Sequence, residues 1–317
     1  MAGGLFMTLA KSLIHPILAL IFAPLMLGVI GRTKAILAGR EGPPLAQPYH
    51  DLRKLLGKGA VYSRTTTWIF RAGPMIGLAS TIVAVLLVPF GSCPAPLAFP
   101  GDLILFAYLL GLARLCTVLA ALDTGSAFEG MGASREVLFS ALAEPALLLG
   151  LAAVARETRS LSLSGMQAAQ TLSAWSGAWL PLSLVAVALG VVLLSENSRI
   201  PVDDPNTHLE LTMIHEVMVL DHGGPDLAFI LYGAALKMWA LAALLIGTVL
   251  PIRVGLPYTW PVDVALSLAS MLGIAVGVGV VESTMARLRM SRVPQLLIFA
   301  TTLSTLALVF EFGGLIR

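Results

Sequence analysis

Eight long apolar runs constrain this chain more than any other feature of its sequence. We place them near residues 5–30, 68–90, 103–122, 136–155, 174–195, 226–250, 261–282 and 293–313. Each can cross a hydrocarbon core, which needs about 20 apolar residues per helix. Only 12% of the residues are charged, against about 25% in a soluble domain, and no stretch alternates with a period of two, as a membrane barrel would. The sequence therefore predicts an all-α, polytopic membrane protein with about eight transmembrane helices, in which residues 1–317 form one membrane domain.

Loop charges predict the orientation of these spans, because Lys and Arg residues close to a span are held back on the cytoplasmic side. Of the 20 Lys and Arg residues, thirteen lie in or beside the loops after spans one, three, five and seven, four lie on the opposite side and three lie within spans. The thirteen are Arg32, Lys34, Arg40, Arg53, Lys54, Lys58, Arg64, Arg71, Arg135, Arg199, Arg287, Arg289 and Arg292. We therefore expect these four loops to be cytoplasmic and both termini to lie outside.

The first cytoplasmic loop, residues 31–67, contains a predicted amphipathic helix. Its start is kept irregular by three prolines, and its apolar and basic side chains then separate onto two faces: Leu52, Leu55 and Leu56 against Arg53, Lys54 and Lys58. This separation is typical of a helix that lies in the membrane interface. A plain basic connector is the alternative interpretation.

The acidic loop of residues 196–226 is the strongest functional signal in the sequence. It contains seven acids, three histidines and one base: Glu196, Asp203, Asp204, Glu210, Glu216, Asp221, Asp226, His208, His215, His222 and Arg199. Clustered carboxylates raise one another's pKa, and imidazole titrates near neutral pH, so such a loop can pass protons along. The alternative is a solvated acidic loop that docks a basic partner.

The histidines of this loop do not predict a metal site. His215 and Glu216 open the zinc pattern H-E-x-x-H, but Val219 stands where the second histidine is required. The two cysteines, Cys93 and Cys116, are too few for an iron–sulfur cluster, which normally needs four thiolates. We therefore predict no metal and no cofactor in this chain, so that any redox centre belongs to a partner.

Among the ionisable residues of the predicted spans, four are the best candidates for a function. Arg114, Glu144 and Lys237 lie near span middles, and Glu282 lies at the inner end of the seventh span. Because a charge in hydrocarbon is costly, each side chain must face protein or water. A functional role is one interpretation, and a static buried ion pair is the other, above all for Arg114 and Lys237.

Three motifs recur together in one known family. They read Arg40-x-Gly-Pro-Pro…Gln47-Pro48…Asp51…Lys54, Glu196-Asn-Ser-Arg-Ile-Pro-Val-Asp203 and Glu282-Ser-Thr-Met-Ala-Arg287-Leu-Arg289-x-x-Arg292-x-Pro294. Together they resemble the family that contains the membrane-anchor subunit of respiratory complex I (its subunit 1, or H-subunit) and its relatives in energy-converting nickel–iron hydrogenases. The resemblance runs from Gly31 to about Leu297.

Two further stretches resemble the hydrogenase branch of this family. One is Asp204-Pro-Asn-Thr-His208-Leu-Glu210-Leu-Thr-Met-Ile-His215-Glu216, where complex I subunits typically have L-P-E-A-E-S-E-L. The other runs from Leu122 to Glu136 and is followed by Glu144-Pro145. Both are similar to the membrane subunit of formate hydrogenlyase and its kin.

The resemblance implies a membrane anchor and coupling subunit of a formate-hydrogenlyase-like or energy-converting nickel–iron hydrogenase complex, without a catalytic centre of its own. Such a subunit holds a hydrophilic redox arm against a prokaryotic cytoplasmic (inner) membrane and connects it to antiporter-like, ion-translocating membrane subunits. The arm comprises hydrogenase-type large and small subunits and a ferredoxin-like subunit, with iron–sulfur clusters and, in some related complexes, nickel–iron. The lipid bilayer is a further partner, and no nucleic acid is expected.

The resemblance also implies roles for particular residues. By residue-level match, Glu144, Glu196, Asp203, Glu210 and Glu282 would line an acidic relay, and Arg199, Arg287 and Arg289 would position these carboxylates or pair with the arm. The further candidates for relay and coupling are Asp204, Glu216, Asp123, His208 and His215, and the further candidate charge partners are Arg114, Arg135 and Lys237. One alternative function is the quinone-site subunit of a complex I-type NADH:quinone oxidoreductase. Another is a stand-alone proton-coupled transporter, although the paired broken helices of the known transporter repeats are not evident.

Overall fold

The computed structural model of the protein describes residues 10–203, 213–249 and 259–313. These residues form α-helices and one 3-10 turn at Met290–Arg292, with no strand among them. The helices are α1 Ile14–Leu37, α2 Gln47–Leu56, α3 Trp68–Leu87, α4 Asp102–Asp123, α5 Ala127–Thr158, α6 Leu163–Ala169, α7 Leu172–Gly177, α8 Trp179–Glu196, α9 His215–Met218, α10 Gly224–Val249, α11 Trp260–Thr284 and α12 Val293–Gly313. Eight of them, α1, α3, α4, α5, α8, α10, α11 and α12, lie in segments long and apolar enough to cross a membrane. The predicted all-α, eight-span architecture is confirmed.

Two spans are longer than their apolar runs. Helix α1 continues to Leu37, although the run was predicted to end at residue 30, and helix α5 begins at Ala127, although the run was predicted to begin at residue 136. Charged side chains such as Lys34 and Glu129 interrupt the apolar pattern without interrupting the helix. Both extensions bring charged groups into the packed part of the protein. Residues 5–9 of the first predicted span lie outside the described residues.

The loops between the spans lie in two groups, at opposite ends of the helix bundle. Contacts within each group join Thr67 to Asp123 and Leu288 to Pro201 at one end, and Gly101 to Leu161 at the other. We call the first end, with residues 38–67, 124–126, 197–203, 213–223 and 285–292, the long-loop face. The loops after spans one, three, five and seven therefore share one face of the protein.

Helix α10 is the central helix of the bundle. It is the most buried of the eight spans and packs against α1, α3, α8 and α11. Its largest buried side chain is Trp239. The outer spans expose many apolar side chains, as expected for helices whose outer surface faces lipid.

Helix α2 is fixed to α1 at a proline. Pro24 has no backbone N–H, so it cannot pair with the carbonyl of Leu20 four residues earlier. The hydroxyl of Tyr232 on α10 donates to that carbonyl over 2.8 Å, and the hydroxyl of Tyr49 on α2 donates to the next carbonyl, of Ile21, over 2.5 Å. Two tyrosines thus hold α1, α2 and α10 together where the helix ladder is broken.

A buried histidine joins three spans near the face opposite the long loops. His15 on α1 is fully buried, and its Nδ1–H donates to the carbonyl of Val88, after the end of α3, over 2.7 Å. Its Nε2 accepts from the indole N–H of Trp239 over 3.0 Å, and its ring stacks on Phe90 at 5.0 Å. Both ring nitrogens are therefore used in holding helices together.

Replacing this histidine is expected to lower stability. In His15→Leu the indole N–H of Trp239 and the carbonyl of Val88 lose their partner in the bilayer interior, and each buried group left unpaired costs about 1–3 kcal/mol. We expect a lower melting temperature of the protein solubilised in detergent, measured by intrinsic fluorescence. His50→Leu, at an exposed position on α2, is the matched control. Equal melting temperatures in the two variants would contradict this role.

Candidate functional site

Arg114, in the middle of α4, contacts carboxylates from two other spans. Its Nη2 lies 2.7 Å from Glu196 Oε1 on α8, its Nη1 lies 2.8 Å from Glu144 Oε1 on α5, and its Nε lies 3.7 Å from Glu136 Oε1, also on α5. Lys237 on α10 approaches the other oxygen of Glu196 at 3.9 Å. We call these five residues the central cluster. They join four of the eight spans.

The central cluster lies inside the bundle, away from the end of α4. Arg114 is nine residues before the last residue of α4, Asp123, or about 13 Å along the helix axis at 1.5 Å per residue. Glu196, by contrast, is the last residue of α8. The loop after α8 therefore begins deep in the bundle, at the level of the middle of α4. Only 9% of the Arg114 side chain and 5% of the Glu196 side chain are exposed, so this ion pair is desolvated.

A cavity opens beside the central cluster, between α3, α4 and α10. Its charged and titratable lining residues are Arg114, Glu136, His215 and Lys237, and the rest of its lining is mostly apolar, with glycines at positions 73, 77 and 233. Its volume is about 60 Å³. One water needs roughly 10–15 Å³ of such space, so the cavity has room for several waters next to the ion pairs.

Close packing of α9 on α5 brings His215 to this cavity. A Cβ atom at Gly132 would collide with the side chain of Val217 and the carbonyl of Ile214, so only glycine allows this approach. Burial, and secondarily the charge of Lys237, lowers the pKa of His215 to about 4, although Asp203 acts in the opposite direction. His215 is therefore neutral at pH 7.

Asp203 organises the segment that carries His215. Its Oδ1 pairs with Arg287 Nη2 at 2.9 Å, and its Oδ2 accepts from the backbone N–H groups of Ile214 and His215, both at 3.2 Å. The Nη1 of Arg135 donates to the carbonyl of Met213 over 2.8 Å. Candidate residues from three separate stretches of sequence thus meet at the long-loop face.

Glu282 forms a third group of charges. Its buried carboxylate lies 2.7 Å from Lys34 Nζ on α1 and 3.3 Å from Arg199 Nη1 in the loop after α8. The pairing of Glu282 with Arg199 joins two of the motifs that define the family resemblance. Lys34 was not among the candidates, because the first span was predicted to end before it.

Asp123 is the last residue of α4 and lies outside these three groups. Asp123 accepts hydrogen bonds from the N–H and hydroxyl of Thr67 (2.6 and 2.9 Å), so it fixes the start of α3. Glu216 is half-buried on α9, and Arg289 is exposed. Asp204, His208 and Glu210 lie outside the described residues. Within the ranges that the structure describes, no group of three or more His, Cys, Asp or Glu side chains is arranged to hold a metal ion.

Glu136 is the residue of the central cluster that was missing from the candidates. The apolar run of the fourth span was predicted to begin at this position, so Glu136 was placed at a boundary rather than inside a helix. The sequence signal that could have identified Glu136 is Glu144, which follows two helical turns later and therefore lies near the same side of α5.

Comparison with known proteins places the chain in a family of membrane subunits. It matches the NADH dehydrogenase family over residues 10–312 and belongs to that family. Formate hydrogenlyase subunit 4 of Escherichia coli (strain K12) is 31% identical, over 92% of this chain and 94% of that protein. Hydrogenase-4 component C of the same strain is 30% identical, over 96% of both proteins. The resemblance to the hydrogenase branch of the family is confirmed.

A solved structure has the same fold. A chain of the membrane-bound sulfane sulfur reductase, an archaeal respiratory membrane complex, superposes with a TM-score of 0.82. The superposition covers 96% of this chain and 99% of that chain, at 23% sequence identity. The eight-span arrangement is therefore shared at a low level of sequence identity.

Removing the shared cation is expected to destabilise the cluster. In Arg114→Leu the buried carboxylate of Glu196 loses its hydrogen-bonded partner, and breaking a buried ion pair costs about 3–5 kcal/mol. We expect little of this variant to accumulate in the membrane, measured by quantitative immunoblotting of washed membranes.

A charge-compensated variant and a matched control separate this effect from a general loss of packing. Adding Glu144→Gln and Glu196→Gln to Arg114→Leu removes the uncompensated charges and should restore part of the accumulation. Arg156→Leu, at an exposed position of α5 where the guanidinium lies over Phe312, should accumulate normally. Normal accumulation of Arg114→Leu alone would show that the bridge is not needed.

Proposed function

We propose that this chain is the membrane anchor and coupling subunit of a formate-hydrogenlyase-like or energy-converting nickel–iron hydrogenase complex in a prokaryotic cytoplasmic membrane. The observation that carries the proposal is the central cluster, in which three acids and two bases from four spans meet beside a cavity. Ionisable groups at this depth are costly and mark ion or proton pathways. Similarity over almost the full length to formate hydrogenlyase subunit 4 and hydrogenase-4 component C supports the choice of complex.

The long-loop face is the proposed binding surface for the redox arm. Exposed bases lie on this face, among them Arg40, Lys54, Lys58, Arg64, Arg289 and Arg292. Bases of this kind favour a cytoplasmic location and complement acidic surfaces of a partner. We infer that the hydrogenase-type large and small subunits and the ferredoxin-like subunit dock here, and that both termini lie outside.

The proposed relay leads from this face into the membrane. Asp203 binds the backbone of His215, and the side chain of His215 lines the cavity that Arg114 and Lys237 also line. A movement of the loop imposed by the redox arm would therefore reach the central cluster directly. Two-state movements of packed elements are how distant sites are coupled in proteins.

Glu144 marks the proposed exit of the relay toward a second membrane subunit. It lies near the middle of α5, yet 48% of its side chain is exposed at the outer surface of the bundle. A carboxylate in contact with hydrocarbon is strongly disfavoured. We infer that an antiporter-like subunit covers this surface and presents polar groups to Glu144.

A quinone-site subunit is the second candidate function. The family to which the chain belongs is described as NADH dehydrogenase, and the cavity beside Arg114 combines charged residues with a mostly apolar lining. Quinone reduction by the purified complex, sensitive to substitution of the cavity glycines, would favour this function over hydrogen evolution.

The orientation can be tested with single cysteines. The native Cys93 and Cys116 are both buried, so the wild-type chain should give little labelling. Val61→Cys lies on the long-loop face (86% exposed) and Leu161→Cys on the opposite face (62% exposed). Because bases are held on the cytoplasmic side, we expect a membrane-impermeant maleimide to label only Leu161→Cys in intact spheroplasts. Labelling of Val61→Cys instead would reverse the orientation and place the arm-binding face outside.

The relay can be tested with Glu144→Gln. Gln keeps the shape of the side chain but cannot carry a proton, so the variant complex should assemble while proton translocation per redox turnover falls by roughly a hundredfold, within the range that a positioned proton-transfer group contributes. Translocation is measured by fluorescence quenching of a pH-sensitive dye in inverted membrane vesicles.

Two reference strains make this result interpretable. Glu157→Gln, on the same helix but near the opposite face, should translocate normally. Deletion of the whole chain should release the redox arm into the soluble fraction, which defines what failed anchoring looks like. If Glu144→Gln also releases the arm, its role is structural; if it translocates like the wild type, Glu144 is not in the relay.

A further inference from the structure

The central cluster contains one more acid than base. Glu136, Glu144 and Glu196 face the two permanent cations, Arg114 and Lys237. The nearby His215 adds no charge, since it is neutral at pH 7. An uncompensated charge inside a membrane protein is strongly disfavoured, and the usual response is protonation. The cluster is therefore expected to hold one proton on a carboxyl group at rest.

The contact distances indicate which carboxyl holds it. Glu196 and Glu144 accept short hydrogen bonds from the guanidinium of Arg114, at 2.7 and 2.8 Å. Hydrogen bonds of this type stabilise the ionised carboxylate. Glu136 approaches Arg114 only at 3.7 Å, and the Arg114 Nε atom that faces it has no hydrogen-bond partner among the described residues. Of the three acids, Glu136 is therefore the one whose protonation disturbs no hydrogen bond from Arg114.

The charged and titratable groups around Glu136 come from four neighbouring elements and from its own helix. They are Arg114 on α4, Glu144 on its own helix, Glu196 on α8, His215 on α9 and Lys237 on α10. Arg114 is already hydrogen-bonded to Glu144 and Glu196, whereas Lys237 lies 3.9 Å from Glu196 and its charge also acts on Glu136. Glu136 therefore has neighbours of both signs and no dedicated counter-ion.

Glu136 also lies between two cavities. The larger one, of about 60 Å³, contains Arg114, His215 and Lys237 in its lining. The smaller one, of about 10 Å³, lies between α5, α8 and the loop that follows α8. Glu136 lines both, and the smaller cavity is further lined by Ser140, Ser195, Glu196 and Ser198. At about 10 Å³ the smaller cavity is at the lower limit for one water, and its hydroxyls can continue a hydrogen-bonded path.

We propose that Glu136 is a proton-carrying residue of the relay, which holds the spare proton of the central cluster and passes it between these two cavities. This inference rests on the proposed coupling function and adds to it a residue and a route. The carboxyl group of Glu136 gives its proton to a hydroxyl or water of one cavity and takes a proton from the other. No electron moves in this step, and the hydrogen bonds of Arg114 to Glu144 and Glu196 stay in place.

The test is Glu136→Gln in the intact complex. Gln imitates the neutral, protonated side chain, so we expect assembly at the wild-type level. Because Gln cannot release a proton, translocation per redox turnover in inverted vesicles should fall by roughly a hundredfold. Glu136→Asp, which still titrates, should recover part of the translocation, and Glu157→Gln should be unaffected.

Infrared difference spectroscopy gives a readout that a structural role would not change. The carbonyl stretch of a buried protonated carboxyl, identified by its shift in deuterium oxide, should be present in the wild type and in Glu157→Gln. It should be absent in Glu136→Gln. Loss of the band together with loss of translocation supports the proposal.

Each contrary result has a distinct meaning. Failure of Glu136→Gln to assemble would show that Glu136 is ionised at rest, and would overturn the proposal. Wild-type translocation and an unchanged band in Glu136→Gln, with translocation lost in Glu144→Gln, would overturn the proposal and leave the coupling function standing. Wild-type translocation in both variants would instead remove the coupling function itself.

Discussion

Arg114 is a permanent cation buried halfway along a membrane span, and it is tolerated there because α5 and α8 each supply a carboxylate within 2.8 Å. Desolvating a guanidinium is expensive, and only well-placed, hydrogen-bonded partners repay the cost. Glu196 is also the last residue of α8, so the loop that follows begins at the depth of this ion pair. The depth of that loop in turn brings Asp203 and its neighbours close to the interior of the bundle.

The spans and motifs were predictable from sequence because they depend on local properties. Apolar runs of sufficient length identify spans whatever their neighbours, and Glu282 and Arg199 were recognised by motif before the structure paired them at 3.3 Å. The pairing of Lys34 with Glu282 and the place of Glu136 were not predictable in the same way. Both depend on helices that continue past the end of an apolar run, and only the packing of other helices determines whether a charge at such a position is buried.

Two contacts place α9 where it can influence the central cluster. Gly132 allows α9 to lie directly on α5, Asp203 binds the backbone at the start of α9, and the resulting position puts His215 at the wall of the cavity. Because burial lowers the pKa of His215 to about 4, its charge does not add to that of Arg114 and Lys237. The neutral imidazole can donate or accept a hydrogen bond without changing the charge balance of the cluster.

The exposure of Glu144 distinguishes it from the other acids of the cluster and links the site to assembly. Glu196 and Glu282 are enclosed by this chain, whereas the Glu144 side chain is 48% exposed at membrane depth and has one cationic partner, Arg114. Such a surface is stable in a bilayer when protein or water faces it. In the proposed complex, the Arg114–Glu144 pair lies at the boundary with a second membrane subunit. Glu136 and Glu144 both lie within 4 Å of the Arg114 guanidinium, so a change in charge at Glu136 would alter the electrostatic field at Glu144. In the proposed complex, this gives the relay a route from the central cluster to the second membrane subunit.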